Sequence, residues 1–251
     1  MNQNSWKYFK KSREHFRQTV EELSSSIPEL KNIQQKFADS RSETSYKVET
    51  PVVYNTALDD IKQHDEIKLI LVADNPGRRE QALENRKYLA GPSGKIAKKF
   101  FVDNPSLGID FIRNVIILNK TPIHSPRTIE LRELCRMEKD SYSGSSIPAA
   151  LAESQNKMAD ILMEFHIALD CPVWITGYSE MKKNGIFEVY TKRIRDLYSG
   201  KKELYKNIFL FRHFSMNQFT IDLKQQSLPG ESLIKNLNRI GTTYKKRILE
   251  I

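Results

Sequence analysis

Residues 67–77 read Ile-Lys-Leu-Ile-Leu-Val-Ala-Asp-Asn-Pro-Gly, so that an almost wholly apolar run ends directly in a polar turn. Three later runs have the same character. They are Asn114–Leu118, Val173–Thr176 and Ile208–Phe211. Short, continuous apolar runs are typical of parallel strands that helices cover on both faces. Together, the four runs predict a mostly parallel, four-stranded central sheet.

Longer segments with a helical spacing of apolar residues lie before, between and after these runs. We expect helices at Ser5–Leu23, Pro28–Phe37, Ser93–Val102, Pro148–Leu169, Ile186–Leu197 and Glu231–Leu249. The alternation of strands and helices predicts an α/β protein, a three-layer α/β/α sandwich with additional N-terminal helices.

No linker divides the chain convincingly, which predicts a single domain over residues 1–251. Within it, residues 1–60 would form a helical extension packed on the core. Residues 66–220 would form the core that carries the motifs, and residues 231–251 the last helix. A loop rich in serine and charge is expected at Asp39–Lys47.

The chain carries a formal net charge of +9, and the whole excess lies in its last part. Residues 1–180 hold 25 basic and 25 acidic side chains, whereas residues 181–251 hold 15 basic and 6 acidic ones. A cationic segment favours an anionic partner such as nucleic acid. The content of 39% hydrophobic and 10% aromatic residues excludes a mainly disordered chain.

The sequence gives no indication of a membrane protein, a disulfide-stabilised protein or a metal-binding protein. The apolar runs are too short to cross a bilayer, and residues 1–11 are polar and basic with no apolar segment behind them. The two cysteines, Cys135 and Cys171, form no CxxC motif and have no histidine at ligand spacing. We therefore expect a soluble, cytoplasmic monomer without metal or other cofactor.

Polar side chains follow all four apolar runs. They are Asp74 and Asn75, then Asn119, then Tyr178, then His213, Ser215 and Asn217. Because ligands bind outside the carboxyl ends of the strands in an open parallel sheet, these side chains are expected to form one site.

Each of these residues also has a purely structural interpretation. Asp-Asn-Pro-Gly is an ordinary turn sequence, and a histidine after a strand can simply bond the backbone. His213 is nevertheless the candidate group for acting on developing charge, because it stands at the ligand-binding edge. The other four histidines are expected at the surface or at an interface.

Residues 88–95, Tyr-Leu-Ala-Gly-Pro-Ser-Gly-Lys, begin a predicted helix. Ser93 as a hydroxyl N-cap, the amide of Gly94 and the charge of Lys95 would suit a phosphate. The segment is not a Walker A loop, because only two residues separate its glycines and Ile96 follows the lysine. A capped loop without any ligand is the alternative.

Taken in order, these motifs resemble those of the uracil-DNA glycosylase superfamily. Residues 69–77 resemble its first motif, and are most similar to the GINPG and GMNPG forms of the mismatch-specific and single-strand-selective branches. Tyr88 resembles the aromatic residue that stacks on an extruded base. Asn119 resembles the asparagine that reads uracil, and residues 212–215 resemble the HPS motif. The resemblance covers about residues 66–220.

The resemblance implies hydrolysis of the N-glycosidic bond of uracil, or of a related damaged base, in DNA. Asp74 or Asn75 would hold the water, and His213 would stabilise the departing base. Tyr88, Asn119 and Pro76 would bind the base. The DNA-binding and phosphate-binding residues would be Ser93, Gly94, Lys95, Arg212, Ser215 and Asn217. We expect Arg212, Lys95 and part of the basic cluster in residues 181–251 to surround the site.

The chain departs from the superfamily pattern at several positions. Ala73 replaces the opening glycine, Phe214 replaces the proline of HPS, and Met216 lies in the loop that would enter DNA. Two cysteines cannot supply the four ligands of the iron-sulfur branches. A nucleic-acid-binding protein without catalysis and an enzyme acting on a free nucleotide remain alternatives. The glycosylase hypothesis requires that Asn75, Tyr88, Asn119 and His213 line one pocket.

Overall fold

The computed structural model describes residues 1–40, 45–137 and 146–250. These residues contain one sheet, made of β1 (Leu69–Ala73), β2 (Val115–Asn119), β3 (Val173–Thr176) and β4 (Ile208–Phe211). The strand order is β2-β1-β3-β4, and every neighbouring pair is parallel. The predicted four-stranded sheet is therefore confirmed. The bounds of β3 and β4 are as predicted, whereas β1 begins two residues later and β2 is shifted by one residue.

The described residues also form the helices that flank the sheet. They are α1 (Gln3–Ser26), α2 (Leu30–Asp39), α3 (Arg78–Gln81), α4 (Pro92–Asp103), α5 (Glu130–Met137), α6 (Ile147–Leu169), α7 (Glu188–Tyr198), α8 (Lys202–Lys206), α9 (Gln218–Gln226) and α10 (Leu233–Leu249). The six predicted helices are all present, with ends within three residues of the predicted positions. The short helices α3, α5, α8 and α9 are not predicted by the sequence. The loop expected at Asp39–Lys47 lies partly outside the described residues.

The helices cover the sheet in two layers. On one face, Trp174 of β3 and Phe211 of β4 contact Phe219 of α9, and Trp174 also contacts Phe100 of α4. Helix α10 packs on β4 at the same face. On the other face lies α6, which contacts β2, α7 and the N-terminal helix α1. The three-layer α/β/α sandwich with N-terminal helices is therefore confirmed.

The N-terminal helix shares the hydrophobic core of the sheet domain. Phe9 and Phe16 of α1 are fully buried, and the Phe9 ring meets the Phe165 ring of α6 edge-on at 5.3 Å between centroids. Aromatic pairs in this geometry add to the stability that burial provides. Helix α1 is thus packed into the core through its aromatic face.

The strand order determines where a ligand can bind. From β1 the chain moves to the edge strand β2, whereas from β3 it moves to the opposite edge strand β4, so the direction of winding reverses between β1 and β3. Ligands of open α/β sheets bind at this reversal, outside the carboxyl ends of the strands. Asp74 follows β1 there, and Gly177 follows β3. The two residues touch, since a β carbon on Gly177 would overlap the Asp74 carboxylate.

Candidate functional site

A pocket of about 630 Å³ lies at the carboxyl ends of the strands. Asp74 and Asn75 reach it from the end of β1, Asn119 from the end of β2, and His213 from the loop after β4. Ser93 and Ser215 also line it. The sheet thus brings together residues at the ends of three of the four strands, whereas Tyr178, which was expected to join them after β3, lies outside the lining.

The Asp74 carboxylate forms a buried ion pair with Lys120. The Lys120 Nζ lies 2.5 Å from Asp74 Oδ1 and also donates to the Thr176 carbonyl at 2.5 Å. The lysine is fully buried, with Nζ 4.9 Å from the centre of the Phe187 ring. Burial lowers the pKa of Lys120, and the charge of Asp74 opposes that change. Lys120 was missing from the sequence-based site, although its position directly after Asn119 at a strand end was a usable signal.

The Asn75 amide is held in one orientation beside Asp74. Its Nδ2 donates to the carbonyl and the hydroxyl of Ser125, at 3.0 and 2.9 Å. The Thr128 Oγ1 lies 3.2 Å from Asn75 Oδ1 and 3.1 Å from Asp74 Oδ2. A threonine hydroxyl has one proton, so it donates to one of these oxygens at a time. The other oxygen therefore remains an acceptor for a water molecule. Neither Ser125 nor Thr128 has a distinguishing signal in the sequence.

Asn119 presents an amide without a partner to the pocket. The residue is only 2% exposed, and its side chain forms no hydrogen bond with the rest of the described chain. Its amide atoms are not among the enclosed polar atoms that lack a hydrogen-bond partner, so they are open to the pocket. The arrangement is therefore suited to a ligand that supplies both a donor and an acceptor.

His213 supplies a neutral N–H group. Its Nδ1 accepts a hydrogen bond from the Ser215 backbone N–H at 3.0 Å. Because one nitrogen of a neutral imidazole accepts and the other carries the proton, Nε2 carries the proton here. Burial lowers the pKa of His213, with Asp74 opposing the change and Lys120 adding to it. The neutral form with a donating Nε2 is therefore favoured.

The structure places Tyr88 and Pro76 outside the lining of the pocket. The Tyr88 ring is buried against Phe16, and its hydroxyl donates to the Val53 carbonyl at 2.5 Å. The Pro76 carbonyl accepts from His124 Nδ1 at 2.8 Å. Leu89, with a positive φ of 53°, lines the pocket in place of its aromatic neighbour. A base in this pocket would therefore have no contact with the Tyr88 ring.

In residues 88–95, which were expected to hold a phosphate, the helix begins at a different residue and the amides are already bonded. Gly91 is the N-cap of α4, so Ser93 lies inside the first turn and is not the cap. The amides of Gly94 and Lys95 donate to the Gly91 carbonyl at 3.1 and 3.2 Å. Gly94 is buried, and the exposed Lys95 does not line the pocket. Of the three predicted phosphate-binding residues here, only Ser93 faces the pocket.

An acidic side chain also stands at this segment. The Glu80 carboxylate accepts hydrogen bonds from the backbone of Gly77 and of residues 89–91. Burial raises the pKa of Glu80, and these backbone donors oppose the rise. The loop amides that could have met a phosphate are therefore bonded to a carboxyl group of the protein itself.

The cations at the pocket come from the neutral first part of the chain. Arg78, Arg79 and Arg127 line the pocket, and no lysine or arginine of residues 181–251 is among its described lining residues. Arg212 is exposed and pairs with Asp222 at 3.3 Å, and Asn217 also lies outside the lining. The pocket is therefore not surrounded by Arg212, Lys95 and part of the 181–251 cluster, and that expectation is wrong.

Two of the histidines expected at the surface are fully buried instead. His124 bonds Pro76 through Nδ1 and the Tyr46 hydroxyl through Nε2 at 2.7 Å. His166 Nδ1 lies 2.8 Å from the Tyr198 hydroxyl. Burial lowers the pKa of each histidine to about 4. His124 thereby fixes the turn that follows β1, directly behind the pocket.

A second cavity, of about 730 Å³, is larger but chemically less suited to a reaction. It lies beside the edge strand β2 and is bordered by Asn55, Lys87 and Tyr88. Asn55 is bonded to the Ile117 carbonyl and to the Tyr88 amide, and Lys87 is paired with Asp60 at 2.8 Å. The side chains of Asn55 and Lys87 are thus already bonded within the protein, whereas that of Asn119 in the smaller pocket is not.

Within residues 1–40, 45–137 and 146–250, no group of three or more His, Cys, Asp or Glu side chains has a geometry that could hold a metal ion. In the same part of the chain, no helix is both long and apolar enough to span a membrane. In comparisons with known proteins, no family model matches the chain, and no curated protein or solved structure matches it either.

Proposed function

We propose that this protein hydrolyses the N-glycosidic bond of uracil, or of a related damaged base, in DNA. One observation carries the proposal: Asp74, Asn75, Asn119 and His213 line the same pocket from three different strand ends. Asn75, Asn119 and His213 meet the requirement stated from the sequence but Tyr88 does not, so the proposal includes no Tyr88 ring stacked on the base. Within the pocket, the Asn119 amide is without a partner and the His213 N–H is neutral. These are the groups that a base and its departing charge require.

Asn119 would bind the edge of the base. Its amide offers one acceptor and two donors, and the edge of uracil offers an N–H beside a carbonyl oxygen. Enzymes that act on a base extrude it from the stack and read this edge by hydrogen bonds. Asn119 is only 2% exposed, so the protein encloses most of the side chain that would form these bonds.

His213 would stabilise the departing base. When the bond between C1′ and the base nitrogen breaks, its electron pair stays on the base, and negative charge builds on the adjacent carbonyl oxygen. A positioned N–H donor in a partly desolvated site stabilises such charge. Because its pKa is lowered, His213 would act as a neutral hydrogen-bond donor, with no proton transfer in this step.

Asp74 and Asn75 would position the water. Asp74 Oδ2 and Asn75 Oδ1 are adjacent acceptors that share the Thr128 hydroxyl. The water oxygen adds to C1′ and its proton passes to the Asp74 carboxylate, since an amide cannot accept a proton. Lys120 would hold that carboxylate in place through Oδ1, which leaves Oδ2 for the reaction.

A polynucleotide fits the rim of the pocket better than a free nucleotide does. Met216 lines the rim, is 79% exposed and has a positive φ of 52°. Apolar side chains of this kind insert between bases. Arg78 and Arg79 are exposed cations for phosphates at the same rim, whereas Arg127 is paired with Glu130 at 2.7 Å. We expect the protein to act as a cytoplasmic monomer and without a cofactor.

A single-turnover assay with protein in excess over a uracil-containing oligonucleotide, single- or double-stranded, tests the proposal. We expect abasic product with the wild-type chain and strongly reduced product with Asn119→Ala. The control is Asn32→Ala, which changes an exposed asparagine of α2.

Absence of abasic product from both substrates would overturn the catalytic proposal. Salt-dependent binding in that case would favour a nucleic-acid-binding protein without catalysis. Release of base from a free deoxynucleotide, but not from either oligonucleotide, would favour an enzyme of nucleotide metabolism.

A further inference from the structure

The basic residues of the last part of the chain gather at a separate cleft. This cleft, of about 280 Å³, lies between α7, the end of α10 and the residues after Tyr178. Five basic side chains line it, against two carboxylates, Glu188 and Glu250. The basic residues are Lys182, Lys183, Lys192, Arg195 and Arg247.

Part of this charge is neutralised within the protein. Lys192 pairs with Glu188 at 2.8 Å. Arg195 donates to the Ile248 carbonyl at 2.5 Å and lies 3.5 Å from Glu250. The remaining three, Lys182, Lys183 and Arg247, are exposed and form no ion pair with any carboxylate of the described chain. With five basic residues and two carboxylates, the cleft has an excess of three positive charges, although Lys183 also interacts with the Glu188 carboxylate.

Two stacked tyrosines hold these cations close to one another. The Tyr178 and Tyr244 rings stack with 4.2 Å between centroids. Lys182 Nζ lies 5.7 Å from the centre of the Tyr178 ring, and the Arg247 guanidinium 5.9 Å from that of Tyr244. Cations are attracted to aromatic rings at such distances. Arg212, although it is paired with Asp222, also interacts with both tyrosines.

The cleft is connected to the carboxyl end of the sheet through neighbouring residues of the chain, although it shares no lining residue with the pocket. Tyr178 directly follows Gly177, which packs against the Asp74 carboxylate. Arg132 of α5 donates to Glu180 at 3.1 Å and to the Asn184 carbonyl at 3.0 Å. These bonds tie the segment that carries Lys182 to the helix that follows the pocket loop. A strand with one nucleotide in the pocket would follow these residues to reach the cleft.

We propose that Lys182, Lys183 and Arg247 bind phosphate groups of the DNA strand that flanks the nucleotide in the pocket. This inference rests on the proposed function, because it needs a strand across the pocket. Each phosphate that a cation neutralises releases counterions, so the slope of log Kd against log salt reports the number of contacts, at about 0.7 per contact for single strands and 0.9 for duplex.

Binding of an unmodified, fluorescently labelled oligonucleotide, measured by anisotropy over a range of salt concentrations, tests the inference. The variant is Lys182→Glu with Arg247→Glu. Its matched control is Lys201→Glu with Lys202→Glu, which causes the same change in net charge. Both control residues are exposed and lie just before β4, at the opposite end of the sheet.

We expect the cleft variant to bind about tenfold more weakly than the control at low salt, with a salt slope lower by about 1.4 to 1.8 for two lost contacts. Equal effects of the two double substitutions, or no effect of either, would overturn the inference.

Failures of the two proposals are distinguishable. If the wild-type chain excises no base but the cleft variant alone loses affinity, the proposed reaction fails and the binding surface stands. If the wild-type chain excises uracil but both double variants bind equally, only the binding surface fails.

Discussion

Lys120 and Asp74 join the carboxyl ends of adjacent strands by a buried ion pair, with 2.5 Å between Nζ and Oδ1. Lys120 follows β2, Asp74 follows β1, and the same ammonium bonds Thr176 at the end of β3. One fully buried cation thus connects three strand ends at the pocket. Such a pair orients its members, although its net contribution to stability is small compared with the cost of breaking it.

Removal of Lys120 is expected to destabilise the fold strongly. Lys120→Met should lower the free energy of unfolding by about 3–5 kcal/mol, because the Asp74 carboxylate would lose its buried cation. Adding Asp74→Asn should restore at least half of the loss, since the uncompensated charge is then removed. Urea unfolding of the two variants at neutral pH measures both values. A double variant as unstable as Lys120→Met would show that the uncompensated charge is not the cause.

His213 is expected to control the rate of base excision. His213→Ala should lower the single-turnover rate by about two to four decades, the range found for a positioned group that acts on developing charge. The control is His64→Ala, because the His64 side chain is 84% exposed and lies outside the pocket. A wild-type rate for His213→Ala would remove the assigned role.

The pH dependence of the rate follows from the lowered pKa of His213. In the proposed reaction the neutral form is the active one, and a lowered pKa keeps the imidazole neutral as the pH falls through 6.5. The rate should therefore stay level through that pH and decline only in more acid solution. Single-turnover rates from about pH 5 to 8 measure the midpoint. The prediction would be contradicted if the pH–rate profile of the wild-type chain had a midpoint at or above 6.5 and this midpoint disappeared in His213→Ala.

Gly177 is expected to be required for its lack of a side chain as well as for its backbone conformation. Gly177 and Gly200 both have a φ of +78°, but a β carbon would overlap the Asp74 carboxylate only at Gly177. Gly200→Ala should therefore show only the cost of the backbone conformation, about 1–2 kcal/mol. Gly177→Ala should lose more stability and also activity. Chemical unfolding of both variants gives the difference, and equal losses would show that the contact with Asp74 has no effect.

The buried histidines predict a loss of stability in mild acid. His124 and His166 have pKa values of about 4 in the folded state, below the usual 6.5, so the unfolded chain binds protons more readily between these values. Stability is fully present above about pH 6.5 and should fall as the pH decreases, with a limiting slope of about 1.4 kcal/mol per pH unit for each histidine.

Urea unfolding at a series of pH values between 7 and about 5 measures this slope. His124→Gln should reduce it, whereas His64→Gln, at an exposed position, should leave it unchanged. An unchanged slope in His124→Gln would show that the pKa of His124 does not differ between the folded and unfolded states.

The sequence determined the strands and the main helices, because their signals are local. Continuous apolar runs such as Val173–Thr176 and Ile208–Phe211 need cover on both faces, whatever covers them. The positions of Asp74, Asn119 and His213 at strand ends were readable for the same reason. A parallel sheet places the carboxyl ends of its strands at one edge, so these residues met in one pocket.

Only the tertiary structure decided which neighbouring residues complete the site. Tyr88 is an aromatic residue in a loop before a helix, and that pattern is the same for a ring in a pocket and a ring in the core. Its packing against Phe16 of α1, far away in the sequence, placed it in the core. The same holds for Lys120 and Thr128, whose partners lie on other segments.

The net charge is a further case in which the sequence determined one part and the tertiary structure decided the other. The sequence located the excess of +9 in residues 181–251, but charge has no periodicity that indicates a partner or a direction. The stack of Tyr178 on Tyr244, formed by two segments that only the fold brings together, gathers Lys182 and Arg247 at one cleft. Local patterns therefore determined the elements and their ends, whereas contacts between distant segments decided which side chains share a site.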